Sequence, residues 1–332
     1  MADGPARTSA RFPCVGLGAG HYESFYLKAC HHVDPIALWI RYTVHKRPHR
    51  RATGSLWFTL FDANAEGPCA VKSTLPEPGV GEGSYIDIGE STFSPGHVRG
   101  GATGAGRNAS WELTFESHAE PLLHLPRAWM YRSALPRTKL LSPHPDARFS
   151  GRAEIDGREL VLDGWRGMVG HNWGSQHAER WIWLHAAGLG EEGSGWLDVG
   201  LGRLWAGPMV TPWIANGALF LGGERHRLGG VGRIRRTEVR ERPRYCEFAL
   251  PGRDMTVQGR VEGERKDFVG WIYADPDGGE HNTVNCSVAD LTLTVSRPGR
   301  RTVTLWADGS AAYELGMRES GHDVEVQPFA DG

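Results

Sequence analysis

Lysine is scarce in this 332-residue chain, occurring only at 28, 46, 72, 139 and 266. Long apolar runs are missing, and the cysteines are few and odd in number. Each shortage excludes something. Arginine supplies most of the 37 basic groups, 39 acidic groups balance them, and the net charge is -2. A chain so near neutrality lacks the basic excess that a polyphosphate partner requires, so no nucleic-acid partner is expected. No run approaches the roughly 20 apolar residues of a membrane span, so no transmembrane segment is expected, while peripheral contact with a membrane surface stays open. Residues 1–13 carry no apolar core of a signal peptide. Cys14, Cys30, Cys69, Cys246 and Cys286 form no CxxC pair and read as free thiols in a reducing compartment. Together these point to the cytoplasm.

Chemical signatures are missing too. HxH and HExxH are absent, and His171 and His177 are six apart along the chain, so no metal site is expected. GxSxG is absent, and Gly174-Ser175-Gln176 lacks its frame. Gly16-Leu17-Gly18-Ala19-Gly20 lacks the last glycine of a dinucleotide loop and reads as a flexible lead-in to the first strand. The basic run His45, Lys46, Arg47, His49, Arg50 and Arg51 reads as a solvated hairpin tip. No amphipathic helix longer than about three turns is present.

What is abundant is glycine (45), proline (20) and tryptophan (13). Many turns and many indoles predict an all-β chain. Alternation marks strands over 23–29, 38–44, 54–62 and 110–116, the last placing Trp111, Leu113 and Phe115 on one face. Asp156-Gly157 marks a tight hairpin between 149–155 and 158–162. The glycine-rich stretch 96–107 reads as mobile. Residues 1–14 and 319–332 read as disordered ends.

Laid on itself, the chain repeats. Tyr26-Leu27-Lys28-Ala29 aligns with Trp183-Leu184-His185-Ala186 at an offset of 157. Without a gap, Trp39-Ile40-Arg41-Tyr42 then falls on Trp196-Leu197-Asp198-Val199. A longer connection brings Gly54-Ser55-Leu56-Trp57 onto Gly217-Ala218-Leu219-Phe220. Duplication predicts two similar antiparallel domains, 15–178 and 179–318, each closed as a barrel or sandwich.

The densest chemistry lies at their junction, in residues 170–185, with three Trp and three His. Residues two apart on a strand share a face. His171 and Trp173 make one such set, Trp181, Trp183 and His185 a second, Trp196 and Asp198 a third. If these faces line one cavity, an acid among indoles has its pKa raised by desolvation and can protonate an apolar substrate. Indole faces then stabilise the developing cation.

The repeat and the motif Gly170-His171-Asn172-Trp173-Gly174 resemble the carotenoid 1,2-hydratase-like (hydroxyneurosporene synthase) family, with tocopherol cyclase and natural-product pericyclases as more distant relatives. The resemblance implies two lipocalin-like β-barrels and a cofactor-free reaction on an apolar isoprenoid- or polyketide-like molecule by hydration, cyclisation or isomerisation. It implies His171, Trp173 and Asp198 as catalytic residues, with an acid that protonates a double bond. Trp181, Trp183, His185, Trp196, Trp39 and Trp57 are the expected substrate-binding residues. Two positions depart from the family pattern: Gly170 stands where the family has Asp, and Trp196 where it has Tyr. An enzyme, a non-catalytic lipophile-binding protein and a structural protein all stay open at this point.

Overall fold

The computed structural model describes residues 8–329. The disorder expected of residues 1–7 and 330–332 lies outside the described residues. The chain is all-β, with two large antiparallel sheets built as tandem lipocalin-like barrels.

The first sheet holds β1 (His21–Cys30), β2 (Ile36–Lys46), β3 (Thr53–Asp62), β4 (Cys69–Pro76), β5 (Ile86–Ile88), β6 (Ser91–Ser94), β7 (His97–Gly104), β8 (Arg107–Glu116), β9 (Leu122–Leu123), β10 (Thr138–Ile155) and β11 (Arg158–Gly174). The chain continues through β12 (Arg180–Leu189), β13 (Gly195–Arg203), the small ribbon of β14 (Trp205–Ala206) and β15 (Met209–Val210), β16 (Ile214–Leu221) and β17 (Glu224–Gly229). It ends with β18 (Glu238–Arg242), β19 (Tyr245–Pro251), β20 (Thr256–Glu262), β21 (Val269–Ala274), β22 (Glu280–Ser296) and β23 (Val303–Met317).

The strand orders are β4-β3-β2-β1-β11-β10-β8-β7-β6-β5 and β17-β16-β13-β12-β23-β22-β20-β19-β18. They match strand for strand, with β5 the one addition. Even the short side strands agree: β9 joins β10 as β21 joins β22. The repeat found at offset 157 thus pairs β1 with β12 and β2 with β13, and places Arg41 and Asp198 at equivalent positions.

The reason for two barrels lies in the central strands. β8 shows ordinary one-sided alternation, with Ala109, Trp111, Leu113 and Phe115 buried and their neighbours exposed. β1 is buried at all ten positions. One face, with Phe25 and Leu27, joins the core of the first barrel. The other, with Tyr22, Ser24, Tyr26 and Lys28, turns outward and is covered by the second barrel. Polar atoms on that face find partners across the junction: Lys28 Nζ donates to Ser310 O at 2.6 Å. Trp39 and Trp57 extend the same face and meet Trp271 of the second half, with ring centroids 6.4 and 4.8 Å away. Truncating a fully buried indole such as Trp57 costs about 3–5 kcal/mol.

Several expectations need correction. Residues 8–14 do not trail free. Phe12–Cys14 form a 3-10 turn, Phe12 is buried, and the backbone N–H groups of Arg11 and Phe12 donate to the Glu23 carboxylate at 2.9 and 2.8 Å. Residues 319–329 do not trail free either. Gly270 N–H donates to Glu325 O at 2.8 Å, Gln327 N–H donates to Gly270 O at 2.9 Å, and Val324 is buried. The segment 16–20 is held by Lys46, whose ammonium donates to the carbonyls of Gly16, Leu17 and Ala19 at 2.9, 3.1 and 2.6 Å. The stretch 96–107 is not mobile but contains β7 and the turn to β8, with His97 to Gly104 paired antiparallel to Thr114 to Arg107. The Asp156-Gly157 turn has φ of 51° and 83° at its two central residues, as a two-residue hairpin of that hand requires.

Candidate functional site

A cavity of about 990 Å³, mouth included, opens where the outer faces of β1 and β2 meet those of β12 and β13. Tyr22, Tyr26, Trp39 and Arg41 come from the first half, and Trp181, Trp183 and Glu314 from the second. Asn172, His124 and His177 complete its polar wall. Such a mostly apolar hollow with a few convergent polar groups is the usual form of a small-molecule site.

Of the nine residues singled out from the sequence, the cavity brings together Trp39, Trp181 and Trp183. His171 and Trp173 point the other way. Strand alternation sends Asn172 toward the cavity and its two neighbours into the first barrel. There His171 stacks on Phe25 and on Trp173, with centroids 4.0 and 4.5 Å apart. Its Nε2 lies 2.7 Å from Glu23 Oε1. Burial pushes the His171 imidazole down, so it is neutral and donates its Nε2 proton to Glu23. Burial pushes the Glu23 carboxyl up, but hydrogen bonds from His171 and His21 outweigh that and bring it down to about 2. Glu23 also takes the Arg11 and Phe12 N–H groups, so this cluster ties the start of the described chain to β1.

Asp198 is the second correction. It is fully buried, one layer behind the cavity wall. Trp183 Nε1 donates to its Oδ1 at 3.3 Å, and His124 Nε2 lies 3.5 Å from its Oδ2. Desolvation pushes its pKa up, as expected of an acid among indoles. The charge of His124 and hydrogen bonds from His124 and Ser142 more than reverse that and leave it below the usual carboxylate value. Asp198 is therefore ionised at neutral pH and positions His124 and Trp183.

His185, the Cα partner of Asp198, lies away from the cavity, with Nε2 donating to Pro145 O at 3.0 Å. Burial and then the charge of Lys28 push its pKa down to about 4. Trp196 stacks on Phe220 at 5.8 Å, with Arg225 5.3 Å from its ring centre, also off the cavity. Trp57 sits behind Trp39, its Nε1 donating to Thr43 Oγ1 at 2.9 Å.

The strongest chemistry at the wall involves residues that periodicity could not bring together. His177 stacks face to face on Tyr22, with centroids 3.9 Å apart. Its Nδ1 lies 2.8 Å from Asp275 Oδ1, which also accepts the His177 backbone N–H at 2.7 Å. Its Nε2 is buried and has no hydrogen-bond partner among the described residues. Burial pushes the Asp275 carboxyl up, but the His177 bonds hold it below its usual value. His281 Nδ1 stands 3.7 Å from Asp275 Oδ2, and burial and then the His177 charge push its pKa down to about 4. His177, Asp275 and His281 place one ligand-type atom each within 4.8 Å of one another. The histidines weighed from the sequence as metal ligands, His171, His177 and His185, do not gather. In the new group Arg318, 3.8 Å from Asp275 Oδ2, already supplies a countercharge.

Next to this group, Glu314 accepts from Trp181 Nε1 at 2.8 Å, Tyr273 OH at 3.2 Å and Asn285 Nδ2 at 3.0 Å, and both rings pack against His177. The Tyr22 and Tyr26 phenols are pushed up, chiefly by burial, and stay neutral. Gly170, opposite Tyr26 in the β1–β11 ladder, is explained by packing: a Cβ there would fall within the Tyr26 ring. Of the wall residues not singled out from the sequence, Tyr26 and Arg41 fall within the strands expected over 23–29 and 38–44, while Tyr22 lies just before the first of them.

Comparison with known proteins finds similarity without an assigned activity in sequence and similarity of fold in structure. No family model matches the chain. An uncharacterized protein of Mycobacterium tuberculosis, recorded from two strains, is 27% identical over 328 residues, covering 93% of this chain and 90% of its own length. Kievitone hydratase from Nectria haematococca superposes with a TM-score of 0.56 at 9% identity, covering 91% of this chain and 89% of that one. An AttH candidate from Nitrosomonas europaea superposes at 0.53 and 13% identity, covering 92% and 96%. CghA with Sch210972 also reaches 0.53, at 12% identity, covering 91% and 90%. At these identities the likeness is one of fold. No helix among the described residues is long and apolar enough to cross a membrane.

Proposed function

We propose that this chain is a cofactor-free hydratase- or cyclase-type enzyme acting on a small, largely apolar molecule held between the two barrels. The observation that carries the reading is His177, fixed through Nδ1 by Asp275 at 2.8 Å and stacked against Tyr22 at the cavity wall. A carboxylate on one ring nitrogen orients an imidazole and leaves the other to give or take a proton. In the proposed step His177 Nε2 delivers a proton to a polarised double bond. The electron pair of that bond forms the new C–H bond, and the electron-poor carbon is captured by water or by a second alkene of the substrate. The proton lost in that capture returns to His177. Trp181, Trp183 and Tyr26 present π faces, and Glu314 a carboxylate, to the developing positive charge. The fold shared with kievitone hydratase and CghA supports a small-molecule role of this class.

In this reading Asp198 and His171 position their neighbours rather than touch the substrate. The competing reading, a lipophile-binding protein without turnover, is favoured by the predominance of apolar side chains in the wall. The test is to identify a co-purifying lipophile by mass spectrometry and to incubate it with the wild type and with His177→Ala. Turnover by the wild type, lost in the variant while binding persists, supports the enzyme. Binding without turnover in both leaves the carrier.

A further inference from the structure

Arg41 is a buried cation whose charge no carboxylate answers. It lies on β2, is 6% exposed, and borders the cavity. Its Nε donates to Ser24 Oγ at 2.6 Å. Its guanidinium carbon stands 4.3 Å from the Tyr273 ring centre, 5.5 Å from that of Trp57 and 5.9 Å from that of Trp39. These contacts fix the plane of the group. No carboxylate among the described residues comes within 4.0 Å of it, and the cavity carboxylate, Glu314, is already satisfied by Trp181, Tyr273 and Asn285.

A charge taken out of water without a counterion costs several kcal/mol. The second half shows the usual solution to that problem. Asp198, at the position equivalent to Arg41 in the repeat, has His124 at 3.5 Å and Trp183 at 3.3 Å. Arg41 lines the cavity, and among the described residues its terminal nitrogens have no hydrogen-bond acceptor. The neutral Tyr26 hydroxyl stands on the neighbouring strand, at the ladder position facing Arg41.

We propose that Arg41 is the subsite for an anionic oxygen, either a carboxylate or the ionised oxygen of an acidic enol or phenol, so that the substrate is an amphipathic acid. The head group takes the planar fork of the guanidinium, a geometry suited to paired oxygens, and the apolar body lies along Trp181 and Trp183. The inference rests on the reading of the cavity as the substrate site and narrows its ligand.

The test uses two pairs of probes on the full chain. The carboxylate arm compares cis-parinaric acid with its methyl ester by fluorescence titration. The enolate or phenolate arm compares para-nitrophenolate with para-nitroanisole by calorimetry at mildly alkaline pH. The wild type is expected to prefer the anion about tenfold or more in at least one arm, and that arm names the head group. Arg41→Gln should reduce the preference to within about twofold while affinity for the neutral analogue is kept, and Arg41→Lys should restore part of it. Circular dichroism checks that each variant is folded, and the Lys variant keeps the test open if Gln does not fold. Equal binding of anion and neutral analogue in both arms, or a preference that survives Arg41→Gln, overturns the anion subsite and leaves the cavity reading standing. If none of the four probes binds, the cavity reading itself fails and the inference falls with it.

Discussion

His177 Nδ1 and Asp275 Oδ1 lie 2.8 Å apart although 98 residues separate them in the chain. This contact joins the segment linking the barrels to the end of β21, and in the proposed function it orients His177 as the proton carrier. Replacing His177 by Asn should lower kcat by about 10²–10⁴-fold with little change in ligand Kd. Asp275→Asn should lower kcat by a smaller factor through loss of orientation. Steady-state kinetics and ligand titration on the same preparations check both. Undiminished kcat in His177→Asn removes it as the proton carrier.

Asp198 should behave as a structural residue. It is ionised, fully buried and tied to His124 and Trp183. Asp198→Ala leaves the buried Trp183 N–H without its acceptor, while His124 keeps Asn216 O and Ser142 Oγ at 2.9 and 3.0 Å, so the loss costs about 1–3 kcal/mol. Thermal unfolding should show a clear loss in Tm, while kcat per folded molecule falls much less than for His177→Asn. The reverse pattern, a native Tm with lost turnover, would return Asp198 to the chemistry.

Acid should weaken the fold in two stages. The His185 pKa is about 4 in the folded chain against 6.5 ordinarily. Between those values the unfolded chain binds a proton that the folded chain refuses, so stability falls as pH drops from 6.5 toward 4 and this contribution levels off below. The gap corresponds to about 3 kcal/mol. The Glu23 pKa is about 2 against 4.5, so its contribution is present above 4.5 and is lost as pH falls toward 2. Urea unfolding across this range should show both stages, and His185→Gln should reduce the slope of the first, leaving the part that His281, also pushed down to about 4, contributes. An unchanged slope in that variant would exclude His185 as a source.

Gly170→Asp would restore the acid of the resembled family, yet it should not improve activity. The new side chain would displace the Tyr26 ring, which overlies the Gly170 Cα. Overpacking of this kind costs about 1–3 kcal/mol and would push Tyr26 into the cavity. A lowered Tm with weaker ligand binding is expected. A gain in turnover would show that the family's acid can be accommodated here.

How far the sequence alone reached is clearest in β1 and β2. Turn residues, indoles and strand alternation determined an all-β chain, and the spacing of Tyr26 and Trp39 against Trp183 and Trp196 determined the repeat. Alternation also separated the two faces correctly, since His171 and Trp173 do share a face and so do Trp181 and Trp183. What it could not decide is which face meets which barrel, because period two has no sign. His171 and Trp173 turned out to face the interior of the first barrel, and their neighbour Asn172 the cavity. The tertiary structure also decided the electrostatics. Desolvation alone would raise the Asp198 pKa, and only the fold, by placing His124 beside it, lowers it. The same holds for His177 with Asp275, and for Arg41, since the absence of a carboxylate within 4.0 Å of it among the described residues is a property of the space around it and of no segment of the chain.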